Sequence, residues 1–179
     1  ARMMLALILI LSSLIIAPQQ SGGSPAKQAV VVTTAGEFII DLRPDLAPNH
    51  VAYFIQQAES GAYNGTTFHR MIKYGIIQGG DPLSKDPAKE KAYGTGGLGK
   101  LKAEFSNEPA TRGAVAAVLV PGKPDSAGSQ FFICVTDQPA LTGKYTIFGR
   151  VSEGLDVVTK ISETPTTEDG RALERVEIV

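Results

Sequence analysis

The strongest constraint in this sequence is how often its apolar runs are interrupted. Short stretches rich in β-branched and aromatic residues recur from Ala29 to Val179, and 19 glycines and 11 prolines punctuate them. β-Branched side chains suit a pleated surface, whereas glycine and proline mark turns. Such a chain reads as many short strands. A sheet of that many strands removes its exposed edges by closing on itself. The runs are Ala29–Thr33, Glu37–Leu42, Thr67–Lys73, Ile76-Ile77, Ala114–Val120, Phe131–Val135, Tyr145–Val151 and Arg175–Val179. Thr34, Ala35 and Gly36 suit a hairpin between the first two, and Asn64-Gly65 suits a tight turn.

Two segments carry a helical period instead. Val51, Phe54, Ile55 and Ala58 fall at i, i+3, i+4 and i+7 within Pro48–Ser60, with Gly61 placed to cap the C-terminus. Leu155, Val158 and Ile161 mark a second helix. Asp81 to Lys102 is charged and glycine-rich and reads as a surface loop. The expected fold class is therefore mainly β, a barrel with two helices.

Ahead of this domain, Met3 to Ala17 is apolar apart from Ser12 and Ser13, with Arg2 before it. It is short for a membrane span, which needs roughly 20 residues, and fits the apolar region of a secretory signal. Residues 1–17 are therefore read as a signal peptide or a short membrane anchor, with a buried helix as a further alternative. Residues 18–28 read as a flexible linker, and 29–179 as the folded domain. The protein is expected to be exported, periplasmic or secreted, or anchored by its N-terminus. Membrane contact would come only through residues 1–17.

Charge and cysteine content exclude several functions. Seventeen basic residues against 18 acidic give a net charge of −1, too little to attract nucleic acid or anionic lipid. Cys134 is the single cysteine, so no intrachain disulfide forms, and with only two histidines no usual zinc cluster can be written. Neither a metal nor a cofactor is expected. Gly94 to Lys100, GTGGLGK, satisfies two phosphate-loop patterns, but KDPAKEKAY before it cannot be a buried strand and no amphipathic helix follows. No nucleotide is expected. Ser129, His69 and Asp81 can be written as a hydrolase triad, yet Ser129 lacks a nucleophile-elbow context. His69 reads as a hydrogen-bonded core residue, His50 as an exposed helix residue and Cys134 as a small buried apolar one.

Four strings occur in order: Phe68-His-Arg-Met-Ile72, Gln78-Gly-Gly-Asp81, Gly128-Ser-Gln-Phe-Phe-Ile-Cys134 and Phe148-Gly-Arg-Val151. Together they resemble the cyclophilin family of peptidyl-prolyl cis-trans isomerases, most closely its bacterial, exported, single-domain members, over about Ala29–Val179. The resemblance implies a closed eight-stranded antiparallel barrel capped by two α-helices. It also implies a monomer that acts, without cofactor, on proline-containing peptides and unfolded protein segments to assist folding. On it Arg70 is the catalytic arginine, Gln78 the glutamine that steadies it and contacts substrate backbone, and Phe132 the floor of the proline pocket. Ile76 and Leu141 are apolar walls, Gln130 is a polar substrate contact and Tyr145 a hydrogen-bond donor to the substrate carbonyl.

The chemistry asks little of the protein. The Xaa–Pro bond has a rotation barrier of roughly 18–20 kcal/mol from amide resonance. Twisting the amide frees the prolyl nitrogen lone pair, and a donor placed there binds the transition state more tightly than the planar ground state. Arginine suits the task because it stays charged and presents fixed donors.

The sequence also departs from the family pattern. Lys73-Tyr74-Gly75-Ile76 replaces the usual Pro-Gly-Phe-Met, so glycine stands at an aromatic position that Tyr74 either fills or leaves open. Val120-Pro121 replaces the Ala-Asn pair whose backbone contacts substrate, and Pro121 has no N–H. Ala140 stands where some members carry a tryptophan that supports cyclosporin binding. The alternative function is a catalytically weakened module that binds proline-containing segments.

Overall fold

A computed structural model describes residues 27–179. The expected leader and most of the linker lie outside the described residues. The strands are β1 (Gln28–Thr33), β2 (Gly36–Leu42), β3 (Phe68–Met71), β4 (Ile76–Gly79), β5 (Ala114–Ala117), β6 (Phe131–Cys134) and β7 (Ile147–Glu153). The α-helices are α1 (Pro48–Glu59) and α2 (Leu155–Ser162). All seven strands form one antiparallel sheet in the order β1-β2-β7-β5-β6-β4-β3.

The expected closed eight-stranded barrel is corrected to this seven-stranded curled sheet. The run Arg175–Val179 lies between the two outer strands but forms no continuous ladder with either. Val176 O accepts from Phe68 N, and Ile178 bridges Thr33 on the β1 side. The reason is a slip in register along β3. His69 O accepts from Ala172 N, yet the next partner, Phe68, pairs with Val176. Leu173, Glu174 and Arg175 bulge out between these bonds, so pairing is limited to isolated bridges. The loop expected over Asp81–Lys102 also holds more order than its composition suggests. Two 3₁₀ turns, Pro82–Lys85 and Pro87–Ala92, start at Asp81 and Asp86, whose carboxylates accept from Leu83 N and Ala88 N.

Strand alternation divides the side chains between two apolar clusters. Phe131 and Ile133 of β6 join Phe38, Ile40, Phe68 and Ile77 in the main core, while Phe132 and Cys134 face the other way into a smaller cluster with Ala114, Ala116 and Ile147. Helix α1 covers the main core with Val51 and Phe54, and the Phe54 ring lies 5.2 Å from Tyr63 and 5.3 Å from Phe148, centre to centre. Cys134 is buried, as its apolar neighbours imply, and burial pushes its thiol up to about 11.

His50 is not exposed; it is buried at the first turn of α1. Ala47 precedes the helix and has no side chain with which to cap it. Glu104 does so from a distant loop. Its Oε1 accepts from His50 N at 2.8 Å and lies 2.6 Å from His50 Nδ1, and its Oε2 accepts from Asn49 N at 3.2 Å.

Candidate active site

Strand register builds the site. Arg70 on β3 stands opposite Gln78 on β4, Gln78 opposite Phe132 on β6, and Phe132 opposite Ala116 on β5. The four residues form one row across the sheet, on the face away from the main core. Above this row a cavity of about 550 Å³ is lined by Arg70, Gln78, Phe132, Ile76, Leu141 and Tyr145, all named from the sequence. That size suits a small ligand or a few peptide residues.

The polar side of the row is a relay. Arg70 Nη1 donates to Gln78 Oε1 at 3.3 Å, Gln78 Nε2 to Gln130 Oε1 at 3.1 Å, and Gln130 Nε2 to Gly96 O at 2.7 Å. Gln130 is fully buried and does not line the cavity; it stands behind Gln78 and fixes which way its amide points. Arg70 has no carboxylate partner among the described residues. Its remaining donors are therefore free for a ligand. The apolar side is Phe132, with the Tyr145 ring 5.2 Å away and perpendicular to it.

The relay ends on a loop held by Asp81. This fully buried carboxylate accepts from Leu83 N at 2.8 Å, Gly94 N at 2.6 Å and Gly96 N at 3.2 Å. It is thus a structural acceptor and not a triad member. Ser129 Oγ likewise donates to Gly80 O at 2.9 Å. The glycine loop has a packing reason as well. A side chain at Gly96 would collide with the Asp81 carboxylate, and one at Gly97 with the Ser129 hydroxyl. His69 is the extra residue of a β-bulge between Phe68 and Arg70, buried with its ring edge-on to Tyr93 and absent from the cavity lining. It was expected to be hydrogen-bonded, but neither ring nitrogen has a partner. Burial pushes its imidazole below the ordinary histidine range, while Asp81 pulls the other way. No group of three His, Cys, Asp or Glu among the described residues is placed to hold a metal ion.

Of the Val120-Pro121 pair, Pro121 lines the cavity and Val120 does not; Val120 N instead donates to Ser126 Oγ at 2.7 Å. The cavity also includes Ile72, Val118, Leu119 and Gln138, none of which was singled out from the sequence. Val118 was findable, since it continues the alternation of Ala114 and Ala116 on the cavity face. Tyr74 does not swing into the space beside Gly75: it is exposed, and Ile72 covers Gly75 instead.

Comparison with known proteins agrees with this geometry. Residues 29–179 match the family described as cyclophilin type peptidyl-prolyl cis-trans isomerase/CLD. A probable peptidyl-prolyl cis-trans isomerase of Brucella suis is 44% identical over 140 residues, covering 75% of this chain and 71% of that protein. Arabidopsis thaliana peptidyl-prolyl cis-trans isomerase CYP18-2 is 33% identical over 152 residues, 85% of this chain and 90% of its own. Among solved structures, a Cryptosporidium parvum cyclophilin type isomerase, crystallised in the presence of the dipeptide Ala-Pro, superposes with a TM-score of 0.76. It is 28% identical and covers 85% of this chain and 95% of that one. A row of Arg70, Gln78 and Phe132 across a curled antiparallel sheet, matched along the whole described domain, leaves one assignment: the chain belongs to the cyclophilin-type peptidyl-prolyl cis-trans isomerases.

Proposed function

We propose that Arg70 is the group that accelerates rotation about Xaa–Pro bonds, with Gln78 and Phe132 completing the catalytic set. The observation that carries this reading is the Arg70–Gln78 pair at the polar edge of a cavity floored by Phe132. The prolyl ring packs on Phe132 between Ile76, Leu141 and Tyr145, which leaves the prolyl nitrogen on the Arg70 side. The Gln78 bond keeps the guanidinium from folding away and leaves its other donors for that nitrogen. In the planar substrate the nitrogen is a poor acceptor; as the amide twists it becomes a good one, so the contact strengthens only towards the transition state. Tyr145 supplies a hydroxyl at the apolar wall for the substrate carbonyl. Neither carboxylate nor imidazole lines the cavity, so no proton transfer is built into the step.

The substrates are proline-containing peptides and unfolded protein segments, and the protein acts as a monomer that assists folding. The apolar run Met3–Ala17 supports export, to the periplasm or the medium. Exchange spectroscopy on a single Xaa-Pro peptide tests the activity: cis and trans signals should exchange faster with catalytic amounts of protein. An exchange rate unchanged at stoichiometric protein, with the peptide bound, would establish the weakened binding module instead. Cell fractionation tests export, and full-length protein confined to the cytosol would refute it.

A further inference from the structure

We propose that Ile72 and Tyr74, at the tip of the β3–β4 turn, form an outer subsite that selects a large apolar side chain within two residues of the substrate proline. The inference rests on the placement of proline over Phe132 given above.

Strand register sets the two ends of the cavity. The row of Arg70, Gln78 and Phe132 lies in the middle. Beyond it in one direction come Ala117 and Phe131, then Val118, whose N–H donates to Gln130 O, and the Leu119–Pro121 segment. In the other direction Ile76 pairs with Cys134, and Ile72 N donates to Ile76 O. Ile72 and Leu119–Pro121 therefore flank the proline position from opposite ends. Arg70 and Ile72 are two strand residues apart, about 7 Å, a span that an extended substrate crosses in two residues.

The surface at the Ile72 end is apolar and open. Ile72 is 45% exposed and Tyr74 62% exposed, unusual values for such side chains beside a cavity. Gly75, which follows Tyr74, lends no side chain, and a Cβ placed there would lie 3.0 Å from Ile72 Cγ2. Ile72 thus forms the wall, and its outer face is free. Tyr74 is the one non-glycine residue with positive φ, 59°, among the described residues. A bulky side chain in that region costs free energy and persists only when its surroundings hold it. They do: Tyr74 O accepts from the Thr136 hydroxyl, and Gly75 O from Val135 N at 2.8 Å. The result is a held backbone that carries the aromatic ring outside the cavity. It borders a second hollow lined by Arg112, Val135, Thr136, Asp137 and Thr159, while Lys73 Nζ sits 5.2 Å from its centroid. Ile72 lines the cavity and Tyr74 the neighbouring hollow; on this proposal a side chain leaving the cavity at this end meets Ile72 first and the Tyr74 ring beyond it.

Two peptide series around a fixed Ala-Pro test the subsite, one varying the two residues before it and one the two after, through Gly, Leu and Phe. Binding is read by NMR titration and turnover by exchange spectroscopy. On one flank only, Leu and Phe should exceed Gly about 5–20-fold, from the apolar area they bury. Ile72→Ala, and Tyr74→Asn, which tolerates the left-handed conformation, should each bring that ratio close to one. The ratio is internal to each protein, so a general loss of activity does not mimic the result. Equal binding of all peptides by the unaltered protein, or a ratio unmoved in both variants, overturns the subsite. A binding preference that Ile72→Ala removes, in a protein that speeds no exchange, upholds the subsite and refutes the catalytic reading.

Discussion

Replacing Gln130 with leucine removes the relay behind Arg70 while roughly keeping side-chain volume. Two groups lose their partners: the buried Gln78 Nε2, which donates to Gln130 at 3.1 Å, and the partly buried Gly96 O, which accepts from it at 2.7 Å. A buried polar group left unpaired costs about 1–3 kcal/mol, and the Gln78 amide can recover part of this by turning toward the cavity. The expected loss of stability is therefore about 2–4 kcal/mol, or a fall in melting temperature of roughly 5–15 °C for a domain of this size. Turning also withdraws Gln78 Oε1 from Arg70 Nη1. That bond is long, 3.3 Å, so its contribution is at the low end for a charged donor. Its loss should lower kcat/KM about 3–10-fold, mainly through kcat, because the guanidinium stays charged but less well aimed. Urea denaturation and exchange spectroscopy on one peptide measure the two effects. A variant with unchanged stability and turnover would refute the idea that Gln130 positions Gln78 and Arg70.

Three further outcomes follow from particular contacts. Gly75→Phe should lower turnover, not restore a missing wall, because its Cβ would sit 3.0 Å from Ile72 Cγ2 and 3.3 Å from Ile72 O, pushing Ile72 out of place; higher kcat/KM on Ala-Pro peptides would contradict this. Glu104→Ala should cost about 1–2 kcal/mol in denaturant unfolding, since among the described residues it is the one side chain that accepts from the first-turn amides of α1. Burial alone would raise the Glu104 carboxyl, but the His50 ring and the His50 and Asn49 amides outweigh it and hold it below the ordinary carboxylate range. Its share of stability is therefore fully present above that range and lost as pH falls below it through the lowered folded-state value, so the gap between unaltered protein and Glu104→Ala should narrow in acid; a gap constant with pH would refute the assignment. The rate profile should be flat from about pH 6 to 9, since no imidazole or carboxylate lines the cavity, and a bell-shaped profile would bring His69 into the chemistry.

The parts of the fold that depend on local periodicity were legible in the sequence. Both helices follow from apolar spacing, and the strands follow from β-branched runs bounded by turns, with ends shifted by a few residues. Features that depend on distant partners were not. His50 looks like a solvent-facing helix residue until Glu104, 54 positions away, is seen to bind it. The Arg175–Val179 run alternates like a strand, but the bulge at Leu173–Arg175 that spoils its ladder has no turn signal. At the site, Arg70, Gln78 and Phe132 were reached through resemblance, and strand register explains why they converge. Gln130 shares the face of Phe132 but is buried because the glycine loop bonds it through Gly96 O, a cover from a distant segment that residue type does not reveal. The Gly75 question was open because glycine says what is missing and not which neighbour fills the gap; Ile72, three residues earlier across the turn, does.

Arg70→Ala, followed by exchange spectroscopy on one Xaa-Pro peptide with circular dichroism as the folding control, tests the central claim most directly. A charge-assisted hydrogen bond made only towards the twisted amide is worth about 1.5–3 kcal/mol, and more in a partly dry cavity. The folded variant should therefore lose on the order of tenfold to several hundredfold in kcat/KM, with peptide binding nearly retained and Arg70→Lys recovering little. Turnover at the unaltered rate in folded Arg70→Ala protein would contradict the account.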